Sequence, residues 1–245
     1  LLNLPRDLLA DSAEFARAPA PRGRQFDGVF TAPRDVLEQA ASLLKGAKRP
    51  LILAGGGVKN SGVHESVIAL AEALQAPIAM SPGHGDAIPC THRLYAGQVG
   101  PRGNAVASDL AKRADVILAL GTRLGFNTTF YSYDNLNKDA KIIQVEVEPT
   151  AIGRFFPVEI GVVGFAGEVS QGLRSVMQGH APGNEVRDWC EAFVQARKAF
   201  VEKRDADAGT GSDPLQPAFL FKTLRQVLPD DAMYTMDAGT LCLQA

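Results

Sequence analysis

The sequence predicts an α/β protein built on a parallel, doubly wound sheet with helices on both faces. Three observations carry this. Short apolar runs alternate with segments of helical periodicity. The runs are continuously apolar, so both faces of the sheet must be covered, as in parallel sheets. Small residues stand at the carboxyl ends of three runs, the edge where an open α/β sheet binds ligands.

Taken in order, residues 1–12 (LLNLPRDLLADS) read as a strand running into a turn at Pro5. Residues 13–30 hold Pro, Arg and Gly without periodicity and read as a linker. Residues 34–46 place Val36, Leu37, Ala40, Leu43 and Leu44 at helical spacing, with Gly46 as the stop. PLILAGGG (50–57) is a buried strand ending in three glycines. Residues 63–75 form the next helix, with Val67, Ile68, Ala71 and Leu74 on one face. APIAMS (76–81) is a second strand, followed by Gly83 and Gly85. A modest helix spans 103–113. DVILALGTR (115–123) is the clearest strand, apolar from Val116 to Leu120 and closed by Gly121. KIIQVEVEP (141–149) and PVEIGVVG (157–164) are two more, and a helix over 166–177 follows.

QGHAPGNE (178–185) reads as a linker and 186–203 as a long helix. A loop over 205–214 leads to a helix within 214–229 that has Pro217 in its first turn, where the missing N–H costs little. AMYTMDAG (232–239) reads as a strand. The expected organisation is the end of one domain at 1–12, a linker at 13–30, a central domain at 31–180 and the start of a third domain at 181–245. The chain has no initiating methionine, and both ends cut through elements, so it is expected to be an internal piece of a longer protein.

Composition narrows the function classes. The chain has 245 residues, 46% hydrophobic and 21% charged, with a formal net charge of -2. That balance carries no electrostatic footprint for nucleic acid or an anionic membrane. No apolar run approaches the ~20 residues of a membrane span. Cys90, Cys190 and Cys242 are odd in number and far apart, which fits a reducing cytoplasm.

The glycines admit two readings: tight βα turns, or backbone brought close to a ligand's phosphates. GGGVKNSG departs from G-x-G-x-x-G at Asn60, and Ser61-Gly62-Val63 does not supply the Gly-Lys-Ser/Thr of a phosphate loop. His84, Asp86, Cys90 and His92 are possible zinc ligands, but their spacing fits no common zinc pattern, and loop polarity is the better account. Glu146 and Glu148 form a possible acid/base pair, with capping of strand ends favoured. The stripe of Trp189, Phe193, Phe200 and Val201 is expected to pack on a domain outside the chain.

Six motifs in register resemble one family. They are ILAGGGVKNSG, the strand ending in Ser81, GDAIP, AGQVGPRGN, ADVILALGTRL and AKIIQVEVEPTAIGRFFPVEIGVVG. Their order and spacing resemble the central domain of thiamine-diphosphate-dependent enzymes, most of all the acetolactate synthase and sulfoacetaldehyde acetyltransferase branch. LNLPRDLL resembles the end of the family's pyrimidine-binding domain. LQPAFLFKTLRQVLPDDAMYTMDAGT resembles the start of its diphosphate-binding domain.

The resemblance implies a transferase or lyase that makes or breaks a carbon–carbon bond next to a carbonyl. A 2-keto acid or sulfoaldehyde would lose carbon dioxide or sulfite and pass its acyl group to an acceptor. Acetolactate synthase-like carboligation leads, with sulfoacetaldehyde acetyltransferase or an oxalyl-CoA decarboxylase-like activity as alternatives in the class. A stand-alone nucleotide-binding regulatory module is the alternative from another class. The implied cofactors are thiamine diphosphate and Mg²⁺, and the implied assembly is a homodimer or homotetramer. The family's catalytic glutamate and Gly-Asp-Gly motif have no counterpart here, so no catalytic or metal residue is assigned and this chain alone is expected to be inactive.

By the resemblance, Gly55, Gly56, Gly57, Ser81, Gly100, Gly103, Gly121, Thr122 and Arg123 line a site for ADP or FAD. Gly239, Thr240 and Leu241 match a turn that approaches the diphosphate. Leu124-Gly125-Phe126-Asn127 replaces the acidic-and-basic run that follows the Arg in flavin-binding members, and Phe165 replaces a usual Asp. Both departures disfavour FAD.

Overall fold

The structure is a computed structural model that describes residues 7, 11–12, 32–101, 103–209, 214–229, 232–233 and 235. In chain order the elements are α1 (Arg34–Lys45), β1 (Pro50–Ala54), α2 (Gly56–Ser61), α3 (His64–Leu74), β2 (Ile78–Met80), β3 (Tyr95–Gln98), α4 (Ala105–Arg113), β4 (Val116–Leu120), α5 (Phe126–Thr129), β5 (Lys141–Glu146), β6 (Ile160–Val163), α6 (Ala166–Val176), α7 (Asn184–Asp207) and α8 (Pro217–Val227). A 3₁₀ turn at Pro149–Ala151 follows β5.

The strands form one six-stranded sheet in the order β3-β2-β1-β4-β5-β6. Every pairing is parallel. This is the doubly wound α/β architecture the apolar runs predict. Successive side chains of β1 serve opposite faces. Ile52 and Ala54 join Ile78, Leu118 and Ile143 under α1, α3 and α6. Leu51 and Leu53 join Ala79, Ile117 and Ile142 under α4 and α7. Two buried faces explain why the strands are apolar throughout.

Four features depart from the sequence expectations. The glycine run does not remain a loop, because Gly56 opens the short helix α2. β3, of sequence YAGQ, offers no apolar run to read. It is fixed by tertiary contacts: Gly97 has φ +93°, and a Cβ there would fall on the Asn104 side chain. Asn104 in turn donates to Ala96 O at 2.8 Å and caps α4 by accepting from Ala107 N.

The long helix starts at Asn184 and runs to Asp207, so the linker before it is shorter than expected. Its aromatic stripe does not face away from this chain. Trp189 and Phe193 are buried against the central sheet, and Trp189 Nε1 donates to Pro50 O at 3.0 Å. The segments at 1–12 and 13–30 and the strand expected at 232–239 lie almost wholly outside the described residues. Among the described residues, no helix is long and apolar enough to cross a membrane.

Candidate functional site

The strand order reverses between β1 and β4, and the loops that leave those two strands meet at the carboxyl edge of the sheet. Gly55 N donates to Leu120 O at 3.0 Å, and Gly57 N donates to Gly121 O at 3.0 Å. A Cβ on Gly57 would stand 2.7 Å from Gly121 Cα, and one on Gly55 2.5 Å from Gly121 O. Gly121 itself is left-handed, at φ +57°. Gly55, Gly57 and Gly121 are therefore required by the approach of one backbone to another. The N–H groups of Gly55 and Gly57 are committed within the fold.

Ser81, at the end of β2, reaches across to Thr122. Their hydroxyls lie 2.8 Å apart, and both residues are 6% exposed. Thr122 Oγ1 also accepts from Leu124 N. Gly100 and Gly103 close the turn after β3 through Gly103 N to Gly100 O. That turn abuts α5, since a Cβ on Gly100 would press on Asn127 O. The fold thus brings Gly55–Gly57, Ser81, Gly100, Gly103, Gly121, Thr122 and Arg123 to one edge. Gly239, Thr240 and Leu241 lie outside the described residues.

Arg123 is exposed and, among the described residues, makes no ion pair or hydrogen bond. A planar guanidinium left free at this edge suits a phosphate or a ring face.

His84 belongs to the same edge, although the sequence singled it out only as a possible metal ligand. Its imidazole stands over the glycine turn, 3.1–3.2 Å from where a Cβ on Gly56 would lie. Its Nδ1 is buried without a hydrogen-bond partner among the described residues. The surrounding strap is pinned by Lys59–Asp86 at 2.8 Å, by Gly83 N to Gln98 Oε1 and by the Tyr95 hydroxyl to Gly85 O. The hydrogen bond from Lys59 holds the Asp86 carboxyl below its ordinary range. Burial pushes the Tyr95 hydroxyl up. His92 faces Glu72 rather than His84, and no three potential ligands converge as a metal site among the described residues.

Beyond β5, Glu146 is buried and accepts from Val147 N. Glu148 caps the 3₁₀ turn, accepting from Thr150 Oγ1 at 2.7 Å and Thr150 N at 3.1 Å. The Thr150 hydroxyl, then its N–H and the charge of Arg123, hold the Glu148 carboxyl below its ordinary range. Both carboxylates bind backbone N–H groups at strand ends. The loops after β4 and β5 also carry exposed aromatics. Phe126 stacks on Phe130 with centroids 4.6 Å apart, and Tyr131 packs on Phe155 at the same distance. No sequence periodicity marks this group. At the opposite, amino edge, a cavity of about 630 Å³ is lined in part by Asp115, Lys141 and Glu159. There Asp115 already accepts from the N–H groups of Lys48 and Arg49.

The family model described as thiamine pyrophosphate enzyme, central domain, matches residues 37–173. A probable sulfoacetaldehyde acetyltransferase of Rhizobium meliloti is 35% identical over 98% of this chain and 43% of its own length. A sulfoacetaldehyde acetyltransferase of Roseovarius nubinhibens is 32% identical over 98% of this chain and 42% of its own. The acetolactate synthase isozyme 3 large subunit of Escherichia coli is 29% identical, again over 98% and 42%. The chain thus spans less than half the length of these relatives.

Proposed function

The chain belongs to the thiamine pyrophosphate enzymes, whose central domain it contains, and on that premise we propose that the protein is an acetolactate synthase-like enzyme acting beside the carbonyl of a small 2-keto acid or sulfoaldehyde. One observation carries this reading: proteins named for acetyl transfer from sulfoacetaldehyde and for acetolactate synthesis align over 98% of the chain. Thiamine diphosphate, when bound, supplies the electron sink that lets a bond next to a carbonyl break. Among the described residues no three potential ligands converge that could hold its Mg²⁺. The test is turnover by the full-length protein of which this chain is proposed to be a part, with thiamine diphosphate and Mg²⁺. Carbon dioxide from pyruvate or sulfite from sulfoacetaldehyde is expected, and release of neither overturns the reading.

The proposed division is the end of a pyrimidine-binding domain at 1–12, a linker at 13–30, a central domain at 31–180 and the start of a diphosphate-binding domain at 181–245, whose first helix, α7, packs back on the central sheet. The proposed assembly is a homodimer or homotetramer in the cytoplasm. A clean monomer in sedimentation at roughly 10 μM, where micromolar self-association is well populated, counts against the assembly.

The role proposed for the central domain is to hold an adenine nucleotide at Gly55–Gly57, Ser81 and Gly121–Arg123. Ligands of doubly wound sheets sit at such a reversal of strand order. ADP is preferred to FAD because Leu124, which follows Arg123, is buried. No acidic-and-basic run stands there to hold a flavin's longer body. Calorimetric titration should detect ADP, and Arg123→Ala should weaken it by about 1–3 kcal/mol. A yellow protein with stoichiometric FAD overturns the preference. Absence of both ligands leaves the glycines their packing role alone.

A further inference from the structure

We propose that residues 82–86, which follow β2, form a hinged flap that closes His84 over the glycine turn and swings out to uncover it. Opening is a motion of the chain itself and does not depend on what the crevice binds.

Both ends of the segment are fixed. On one side Ser81 is buried, and its N–H donates to Ala54 O at 2.8 Å. On the other, Ala87 and Ile88 are buried among the residues under α1 and α3. Between these anchors, residues 82–86 supply no side chain to the buried core. Gly83 and Asp86 are exposed, and Pro82, His84 and Gly85 are half-buried. A stretch with few buried apolar contacts is where local opening is least opposed. Gly83 has φ +84° and nothing within 4 Å of where a Cβ would lie, so it can turn without meeting a neighbour.

The contacts that hold the flap shut are polar and lie at its rim. Asp86 meets Lys59 of α2 at 2.8 Å, with side chains 67% and 39% exposed. Gly83 N donates to Gln98 Oε1 at 3.2 Å, and the Tyr95 hydroxyl donates to Gly85 O at 3.1 Å. Water can replace each of them at small net loss. The Tyr95 latch is anchored outside the flap. Arg197 of α7 donates to Tyr95 O at 3.1 Å and lies over its ring at 5.5 Å.

Closure carries a penalty at its centre. The imidazole of His84 reaches over Gly56, 3.1–3.2 Å from where a Cβ would lie. Its Nδ1 is buried there without a hydrogen-bond partner among the described residues. A buried ring nitrogen without a partner loses the hydrogen bond that water would give it, and swinging out restores that bond. Weak latches at the rim therefore work against an unsatisfied group at the centre, which leaves the flap poised to open. The flap sets when the glycine turn is accessible to solvent.

Hydrogen exchange of the protein, followed by mass spectrometry in peptides spanning 82–88 with β1 and β2 as the reference, tests this. The flap amides should exchange by local opening, at least ~10-fold faster than those of the two strands. Tyr95→Phe removes one latch and should speed flap exchange by about 2–10-fold. Asp86→Asn removes another and should speed it by up to ~5-fold. His84→Phe keeps a flat ring and removes the buried nitrogen, so it should slow flap exchange by at least ~5-fold. A substitution that only loosened packing would speed it instead. Gly56→Ala lies outside the flap and puts a methyl under the ring, so it should speed flap exchange and leave β1 and β2 unchanged. Flap amides that exchange no faster than the two strands, or faster exchange in His84→Phe, overturn the inference.

Discussion

Gly57 and Gly62 stand five positions apart and need glycine for different reasons. A Cβ on Gly57 collides with the backbone of Gly121, which cannot swing away as a side chain would. Gly57→Ala should therefore cost about 1–3 kcal/mol, as overpacking does. Gly62 has open space around it and only its φ of +63° to protect. Gly62→Ala should cost about 1 kcal/mol. Urea denaturation compares the two, and equal costs would show that the Gly57–Gly121 approach can relax. Asp86 supplies a pH-dependent counterpart. Lys59 lowers its carboxyl in the folded protein, so the unfolded chain binds the proton more readily. The pair's contribution is full above the unfolded value, about 3.9, and is lost as pH falls through the lower folded value. With Asp86 67% exposed, that contribution is under ~1 kcal/mol. Asp86→Asn should lower the urea midpoint slightly at pH 7, and the difference should be smaller at an acid pH well below the unfolded value of about 3.9. A deficit of the same size at both pH values would rule out the ion pair as its source.

Among the elements, α7 was the one whose partner the sequence misplaced. A stripe of Trp189 and Phe193 at helical spacing signals a buried face but not what buries it. The answer lies at β1, where Pro50 offers its carbonyl to the indole N–H, and at α4, where Arg113 lies over the ring at 5.3 Å. Trp189→Ala should cost about 3–5 kcal/mol. Trp189→Phe keeps most of the ring and loses the hydrogen bond, leaving Pro50 O unpaired, for about 1–3 kcal/mol. Thermal or urea unfolding measures both, and a near-neutral Trp189→Ala would mean that α7 is not a working layer of the fold. β3 was invisible for the opposite reason. Its four residues have little apolar character, and its place at the sheet edge is set by pairing with β2 and by the Asn104 side chain.

At the scale of the whole molecule, the parallel sheet places the carboxyl ends of all its strands on one edge, so loops far apart in the chain converge there. A ligand held there stabilises the fold by mass action. ADP at about 100 times its dissociation constant should raise the unfolding free energy by about 2.7 kcal/mol. The gain should shrink in Arg123→Ala at the same ADP concentration. Thermal shift reads this directly, and an unchanged midpoint with saturating ADP would separate the family's architecture from nucleotide binding in this member.

Local chemistry alone made much of this fold legible. Continuous apolar runs demanded a sheet covered on both faces. Helical periodicity put most helix ends within a few residues of their places. Six motifs in register pointed to the family whose central-domain model matches residues 37–173. Contacts between residues far apart in the chain emerge only in the folded protein: Gln144 with Thr122, 22 positions away, and Trp189 with Pro50, 139 positions away. The glycine run shows the division most clearly. Its composition announced a close approach, but only the fold could say that what approaches Gly55 and Gly57 is the backbone at Gly121. Periodicity encodes which face of an element is buried, whereas the identity of the neighbour depends on how the strands are ordered in space.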